Sequence, residues 1–285
     1  MIPHLDCQVC LLSQGLKMAR IAAPEEPEKH ERLLHEWAAK LNTLSMEQTV
    51  PHWAQKLYPL GYEILGNNDP YAEIKRDANR MVMQSVPEVF ELVAAANDSL
   101  RVAMNVSIIG NYIDHGPPEM FDWQVSLDRE NDTSFMDGAM QELETLLTPG
   151  AQVLVLGDNA GEIALDTILV KQLVERGVEV IYAVRSAPIL NDALMEDAEF
   201  VGMDKICRVI PSGCTTFGTI MDQASPELLK VYNSADIVLS KGQGNFEALY
   251  ERSNRPVFFA FKAKCKVVAD KLRCVQGSSV FMCSG

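Results

Sequence analysis

The chain predicts an α/β fold, a mainly parallel sheet with flanking helices, preceded by an N-terminal all-helical part. Three observations carry this. After Thr148-Pro149-Gly150, short apolar runs begin to alternate with helical segments. Most of these runs end in glycine or polar residues, as buried parallel strands do where they deliver loops to a binding rim. Before that point, apolar residues recur at helical spacing instead. The expected division is therefore residues 1–147, mostly helical, and residues 148–285, the α/β part.

Taken in order, Leu33, Leu34, Trp37, Ala38 and Leu41 share a helical face, and Trp53, Leu57 and Leu60 mark the next segment. Pro24, Pro27, Pro51, Pro59 and Pro70 punctuate these segments. Ala78, Met81, Val82 and Val86 predict a further helix. Asn97 or Asp98 caps another that runs through Val102, Ala103, Val106 and Ile109. The polar stretch 122–133 reads as a loop. Strands are expected at 152–156, 178–184, 206–210, 236–239 and 256–261. A helix between the first two stops at Gly177, and Ser225-Pro226-Glu227 opens a later one with a capping residue and proline in the first turn.

Composition narrows the function. Of 285 residues, 47% are hydrophobic and 22% charged, enough to bury a full core. The formal net charge of -14 disfavours a general nucleic-acid binder, which needs a basic surface to displace counterions. No apolar run reaches the ~20 residues that span a bilayer, and the first residues lack signal-peptide features. A cytoplasmic protein with no membrane or nucleic-acid partner is the expectation. Seven dispersed cysteines do not make a disulfide framework.

The strand ends carry the chemistry, because open parallel sheets bind ligands beyond their carboxyl ends. Asp158 and Asn159 follow the first strand, and Asp192 lies in the loop after the second. Two carboxylates and an amide form an all-oxygen set suited to Mg²⁺ or Mn²⁺. Asp197, nearby, is the alternative third ligand. Lys241, after the fourth strand, reads as a cation for phosphate. Gly213, Gly218, Gly242 and Gly244 would let backbone N–H groups approach it, with Ser212 beside them. Each piece has a structural reading too. Asp158 or Asn159 can be a helix N-cap, and the segment from Lys241 to Asn245 a surface loop. Neither a dinucleotide fingerprint nor a P-loop is present.

These segments resemble the metal-dependent damage-control phosphatases, also known as domain of unknown function eighty-nine. The resemblance rests on Gly157-Asp-Asn-Ala-Gly-Glu-Ile-Ala-Leu-Asp166, on Ser240-Lys-Gly-Gln-Gly-Asn-Phe-Glu247 and on Gly110-Asn-Tyr-Ile-Asp114. Val209 to Gly213 and Lys262 to Cys265 look like further family segments. The resemblance implies a Rossmann-like core and a divalent ion (Mg, Mn, Co or Ni) on Asp158, Asn159 and Asp192. It further implies Lys241 on the substrate phosphate, with Asn245, Gly110 and Asn111 lining the pocket. The implied substrate is a small phosphorylated metabolite, a sugar phosphate or a related phosphomonoester. Asp114 is a candidate base or orienting group, or a local cap. Because a relative has been proposed to methylate carboxyl groups, a methyltransferase using S-adenosylmethionine is the alternative. A non-catalytic binder of metal or nucleotide is the third reading.

Cys7-x-x-Cys10 looks like the short prokaryotic branch of the family. Two thiols are half of a tetrahedral zinc site, to be completed by Cys265 or by a cysteine from elsewhere. They can equally be a redox pair or two small residues on a buried helix face.

Overall fold

The computed structural model describes residues 1–110 and 137–284. Asn111, Asp114 and the whole of the 122–133 stretch lie outside the described residues. The five apolar runs are strands: β1 (Gln152–Leu156), β2 (Glu179–Val184), β3 (Arg208–Pro211), β4 (Ile237–Lys241) and β5 (Val257–Lys262). A sixth that the sequence reading did not include, β6 (Ser279–Ser284), adds to the edge. The sheet order is β3-β2-β1-β4-β5-β6. All neighbours are parallel except β5 and β6. The fold is thus α/β with a mainly parallel sheet, as the alternation of runs and helices requires.

The strand order reverses direction at β1, which has β2 on one side and β4 on the other. At that switch point the following segments diverge to opposite faces and leave a crevice beyond the strand ends. In register, Leu156 of β1 stands beside Ala183 of β2 and Ser240 of β4. The loops starting at Gly157, Arg185 and Gly242 therefore leave the sheet at one level.

Side-chain alternation along the strands builds two cores. Val153, Val155, Tyr182 and Leu239 face one way and pack with α4 (Ala72–Ala95), α5 (Ser99–Ile109), α6 (Asp137–Leu146) and α7 (Glu162–Glu175). Leu154, Leu156, Ile181 and Val238 face the other way. They meet α9 (Pro226–Ser234), α10 (Gln243–Leu249) and α11 (Lys266–Leu272). A short α8 (Met195–Phe200) follows the β2 loop. Pro87 falls inside α4 without ending it, and Val82, Val89 and Val93 are all buried on its inner stripe.

The first three helices, α1 (Leu5–Ala22), α2 (Pro27–Leu41) and α3 (Val50–Leu65), have their own core around Trp37, Trp53 and Tyr58. The Trp37 and Tyr58 rings meet edge-on at 5.2 Å. Ile189, from the loop after β2, is buried in the same core. That contact holds α1 over the carboxyl ends of the strands. No helix among the described residues is long and apolar enough to cross a membrane.

Candidate active site

A cleft of about 280 Å³ opens between α1 and the carboxyl rim of the sheet. Asp158, Asn159 and Asp192 line it on the sheet side, with Gln243, Glu247 and Lys264. Leu11, Val50, Leu190, Phe217 and Val267 supply apolar wall. Cys7 and Cys10 of α1, and Cys265 after β5, border the same space.

The acidic pair is locked by backbone. Asn159 and Asp192 form an isolated antiparallel bridge. The Ala193 N–H donates to the Asp158 carbonyl at 2.8 Å, and the Ala160 N–H to the Asn191 carbonyl at 2.8 Å. The two loops thus hold each other across the switch point. Gly242 must be glycine here. Its φ is +80°, and a Cβ on it would fall 1.9 Å from Asp158 Oδ2. The β4 loop therefore passes directly against the Asp158 carboxylate.

Arg185 is the buried counter-charge. Its Nε donates to Asp192 Oδ2 at 2.7 Å, and its Nη2 stands 3.7 Å from Asp158 Oδ1. Its Nη1 donates to Thr219 Oγ1 and to Asn245 Oδ1. Burial nevertheless pushes the Asp158 carboxyl up to about 7, with repulsion from Asp192 adding to it. Asp192 is pushed up to about 6 by burial, against the pull of Arg185. One guanidinium does not satisfy two buried carboxylates.

Would a divalent ion fit? The donor chemistry does: two carboxylates short of positive charge, with the Asn159 amide between them in sequence and space. Asn159 Nδ2 donates to Asp158 Oδ2 at 2.9 Å, so its Oδ1 is the atom it would lend. Among the described residues no three carboxylate, thiol or imidazole side chains converge as ligands. The protein would then hold such an ion by few oxygens and leave the rest of its shell to water or substrate, which suits a Mg²⁺-like ion. Asp197 belongs elsewhere: its Oδ2 accepts the Leu194 N–H at 2.8 Å and its Oδ1 the Asn79 amide at 2.7 Å. It caps α8, so Asp192 is the acid that faces Asp158.

Several expected residues sit differently. Lys241 does not reach the cleft. Its Nζ is fully buried and donates to Glu162 Oε1 at 2.5 Å, Asp166 Oδ1 at 2.7 Å and the Ser107 carbonyl at 3.0 Å. Burial alone would lower its pKa, but Asp166 and Glu162 more than reverse this and keep it charged. It lies on the face of β4 shared by Ile237 and Leu239, which α5 and α7 cover. Asn245 does not line the pocket either. Its Nδ2 donates to the carbonyls of Lys241 and Gly157, and its Oδ1 accepts the Thr219 N–H at 2.7 Å. It ties the β4 turn to β1 from behind.

Ser212 is buried away from the cleft, where its Oγ accepts the Cys214 N–H. The Gly213 N–H donates to Ser186 Oγ at 2.6 Å. Gly110 caps α5 and packs on α7, where a Cβ would meet Leu165 Cδ1 at 3.0 Å. Gly218 packs against the Gly244 carbonyl, and only Gly244 of this pair borders the cleft.

Three cleft residues escaped the sequence reading as site groups. Lys264 is exposed and lines the cleft, and its charge bears on both Asp158 and Asp192. Gln243 fixes its backbone: the Lys264 N–H donates to Gln243 Oε1 at 2.8 Å. Gln243 Nε2 donates to Glu247 Oε1 at 2.8 Å. The available signal was position: Lys264 follows a buried strand and shares a segment with Cys265.

A switch-point cleft carrying buried carboxylates, an amide and a rim lysine places this chain among the α/β proteins whose pocket lies beyond the carboxyl ends of the strands. The chain belongs to the damage-control phosphatase ARMT1-like domain family, whose model matches residues 4–280. It is 32% identical to a damage-control phosphatase of Archaeoglobus fulgidus, over 92% of each chain. It is 31% identical to one of Pyrococcus horikoshii, over 97% of this chain and 96% of that one. An uncharacterised protein of Methanocaldococcus jannaschii is 30% identical over 97% of this chain and 94% of its own length. A crystal structure of a family protein from Pyrococcus horikoshii superposes with a TM-score of 0.83, at 27% identity and 99% coverage of both chains.

Proposed function

We propose that this protein is a divalent-metal-dependent phosphatase that hydrolyses a small phosphorylated metabolite, a sugar phosphate or related phosphomonoester. The observation that carries the reading is the pairing of Asp158 and Asp192, both buried and both short of counter-charge, with a rim lysine in one cleft. Membership of a phosphatase family supports it.

Asp158, Asn159 and Asp192 would hold the ion, and Arg185 orients Asp192 and neutralises part of the acidic pair. When bound, the ion supplies positive charge that polarises a phosphoryl oxygen. Lys264 sits where a phosphate entering the cleft would need a cation, which the enzyme needs because its net charge repels anions. The apolar wall would cover the organic part of the substrate and exclude water. Phosphoryl transfer asks mainly for such positioning and charge neutralisation.

The test is hydrolysis of an aryl phosphate by metal-stripped protein with Mg²⁺, Mn²⁺, Co²⁺ or Ni²⁺ restored. Wild type should regain activity. Asp158→Ala should lose both ion binding and about a thousandfold in rate, the several kcal/mol that a metal contributes. Folded, ion-loaded wild type that hydrolyses neither aryl nor sugar phosphates would sink the proposal, and binding of S-adenosylmethionine would then be measured.

A further inference from the structure

Each of the buried carboxylates nearest the switch point, save one, has a cationic partner. Asp158 and Asp192 share Arg185, and Glu162 and Asp166 share Lys241. Glu247 is the exception. It is buried, lines the cleft, and accepts from a neutral amide, Gln243 Nε2 at 2.8 Å. No lysine, arginine or histidine among the described residues pairs with it. The amino group of Met1 lies close but donates to the Glu247 main-chain carbonyl, at 2.7 Å.

We propose that Glu247 is the general acid of the cleft, giving its proton to the leaving-group oxygen of the phosphoester. This rests on the phosphatase reading above and adds a catalytic residue to it. A carboxyl that burial keeps from ionising, facing a cleft and unmatched by a cation, is a store for one proton. Asp158 and Asp192 are unsuited, because they share Arg185 and would hold the ion. Glu162 and Asp166 are unsuited, because Lys241 consumes them and neither lines the cleft. Burial pushes the Glu247 carboxyl up to about 7, against the pull of Gln243 and the Met1 amino group, so the acid form persists near neutrality. Gln243 also holds the Lys264 main chain. One side chain therefore ties the acid to the main chain of the residue that carries the phosphate cation.

The step balances. Water attacks phosphorus and forms a P–O bond as the ester P–O bond breaks. The bond's electron pair leaves on the alcohol oxygen, which takes the Glu247 proton and departs as the alcohol. The proton lost by the attacking water restores the carboxyl by way of solvent.

General acid catalysis matters where the leaving group is poor and hardly at all where it is good. The experiment therefore compares 4-nitrophenyl phosphate with glycerol phosphate, in wild type and Glu247→Gln, with the ion present. Glu247→Gln should lose about a hundredfold or more in kcat on glycerol phosphate and only about threefold on the aryl ester. An equal loss on both substrates, or none, overturns the proposal while leaving the phosphatase reading intact. Wild type inert on both overturns the two together. If Glu247→Gln does not fold, wild type is followed across aryl phosphates of graded leaving-group pKa. A shallow dependence of kcat/KM supports protonation of the leaving oxygen, and a steep one overturns it.

Discussion

Two acid–base clusters lie on either side of the turn after β4, each with two carboxylates around one buried cation. In the inner one Lys241 meets Glu162 and Asp166, and Ser107 and Tyr182 hydroxyls close on Asp166 at 2.6 Å each. Its charged members are 1% exposed or less, and Lys241 has a partner for each of its three protons. In the outer one, Arg185 serves two carboxylates, its Nη2 lacks a hydrogen bond among the described residues, and the acids border open space. The contrast shows that a buried ion cluster signals a site when its charges are left incompletely matched next to a cavity. Complete matching signals structure.

The sharpest way to break that comparison is Lys241→Met. It removes the buried cation that Glu162 and Asp166 share, so it should cost roughly 3–5 kcal/mol of stability, read by urea denaturation. Burial already pushes Glu162 up to about 8, and losing Lys241 removes the main force opposing that. A stable Lys241→Met protein that merely binds phosphate poorly would return this lysine to the role the resemblance implied.

Lys264→Ala is the counterpart. It should leave denaturation within about 0.5 kcal/mol of wild type, as exposed positions do. It should lower kcat/KM for a phosphate ester by about 10–100-fold, the loss of one charge-assisted hydrogen bond. Unchanged kinetics would remove Lys264 from the site.

The third effect concerns pH. Glu247 ionises near 4.5 in the unfolded chain and at about 7 in the fold. Below about 4.5 both states hold the proton and the group is neutral in cost. Between the two values only the unfolded state releases it, so stability falls as pH rises, and the full penalty is present above about 7. Glu247→Gln removes that penalty. It should gain on wild type by on the order of 2–3 kcal/mol between pH 4 and pH 8, an upper bound, in parallel denaturation curves. A constant gap across that range would mean that Glu247 is solvated in the folded protein.

Much of the fold was legible in the residues. Buried parallel strands are short apolar runs closed by turn residues, so β1 to β5 could be read to within a residue or two. β6 was not read, although Ser279–Ser284 is as long as β5 and follows a turn at Gly277, because its antiparallel pairing with β5 lies outside the alternation of strand and helix that signalled the others. Helix α1 was equally silent, although Leu11, Met18 and Ala19 repeat on its buried stripe. Its place over the cleft depends on packing against Trp37 and Trp53, far off in sequence.

For the site, the sequence by itself determined which loops carry chemistry. The acids after β1 and β2 must stand together because parallel strands in register deliver their loops to one level. It also contained, unread, the parity that puts Lys241 on the face of Ile237 and Leu239. Only the tertiary structure decided what covers that face. Glu162 and Asp166, one helical turn apart on α7, meet Lys241 there, and an ammonium flanked by two carboxylates in a dry interior has no charge left for a substrate. Likewise only the assembled rim brings Lys264 and Glu247 to Asp158. Their separation in sequence says nothing of it, because the crossovers that join them run along opposite faces of the sheet.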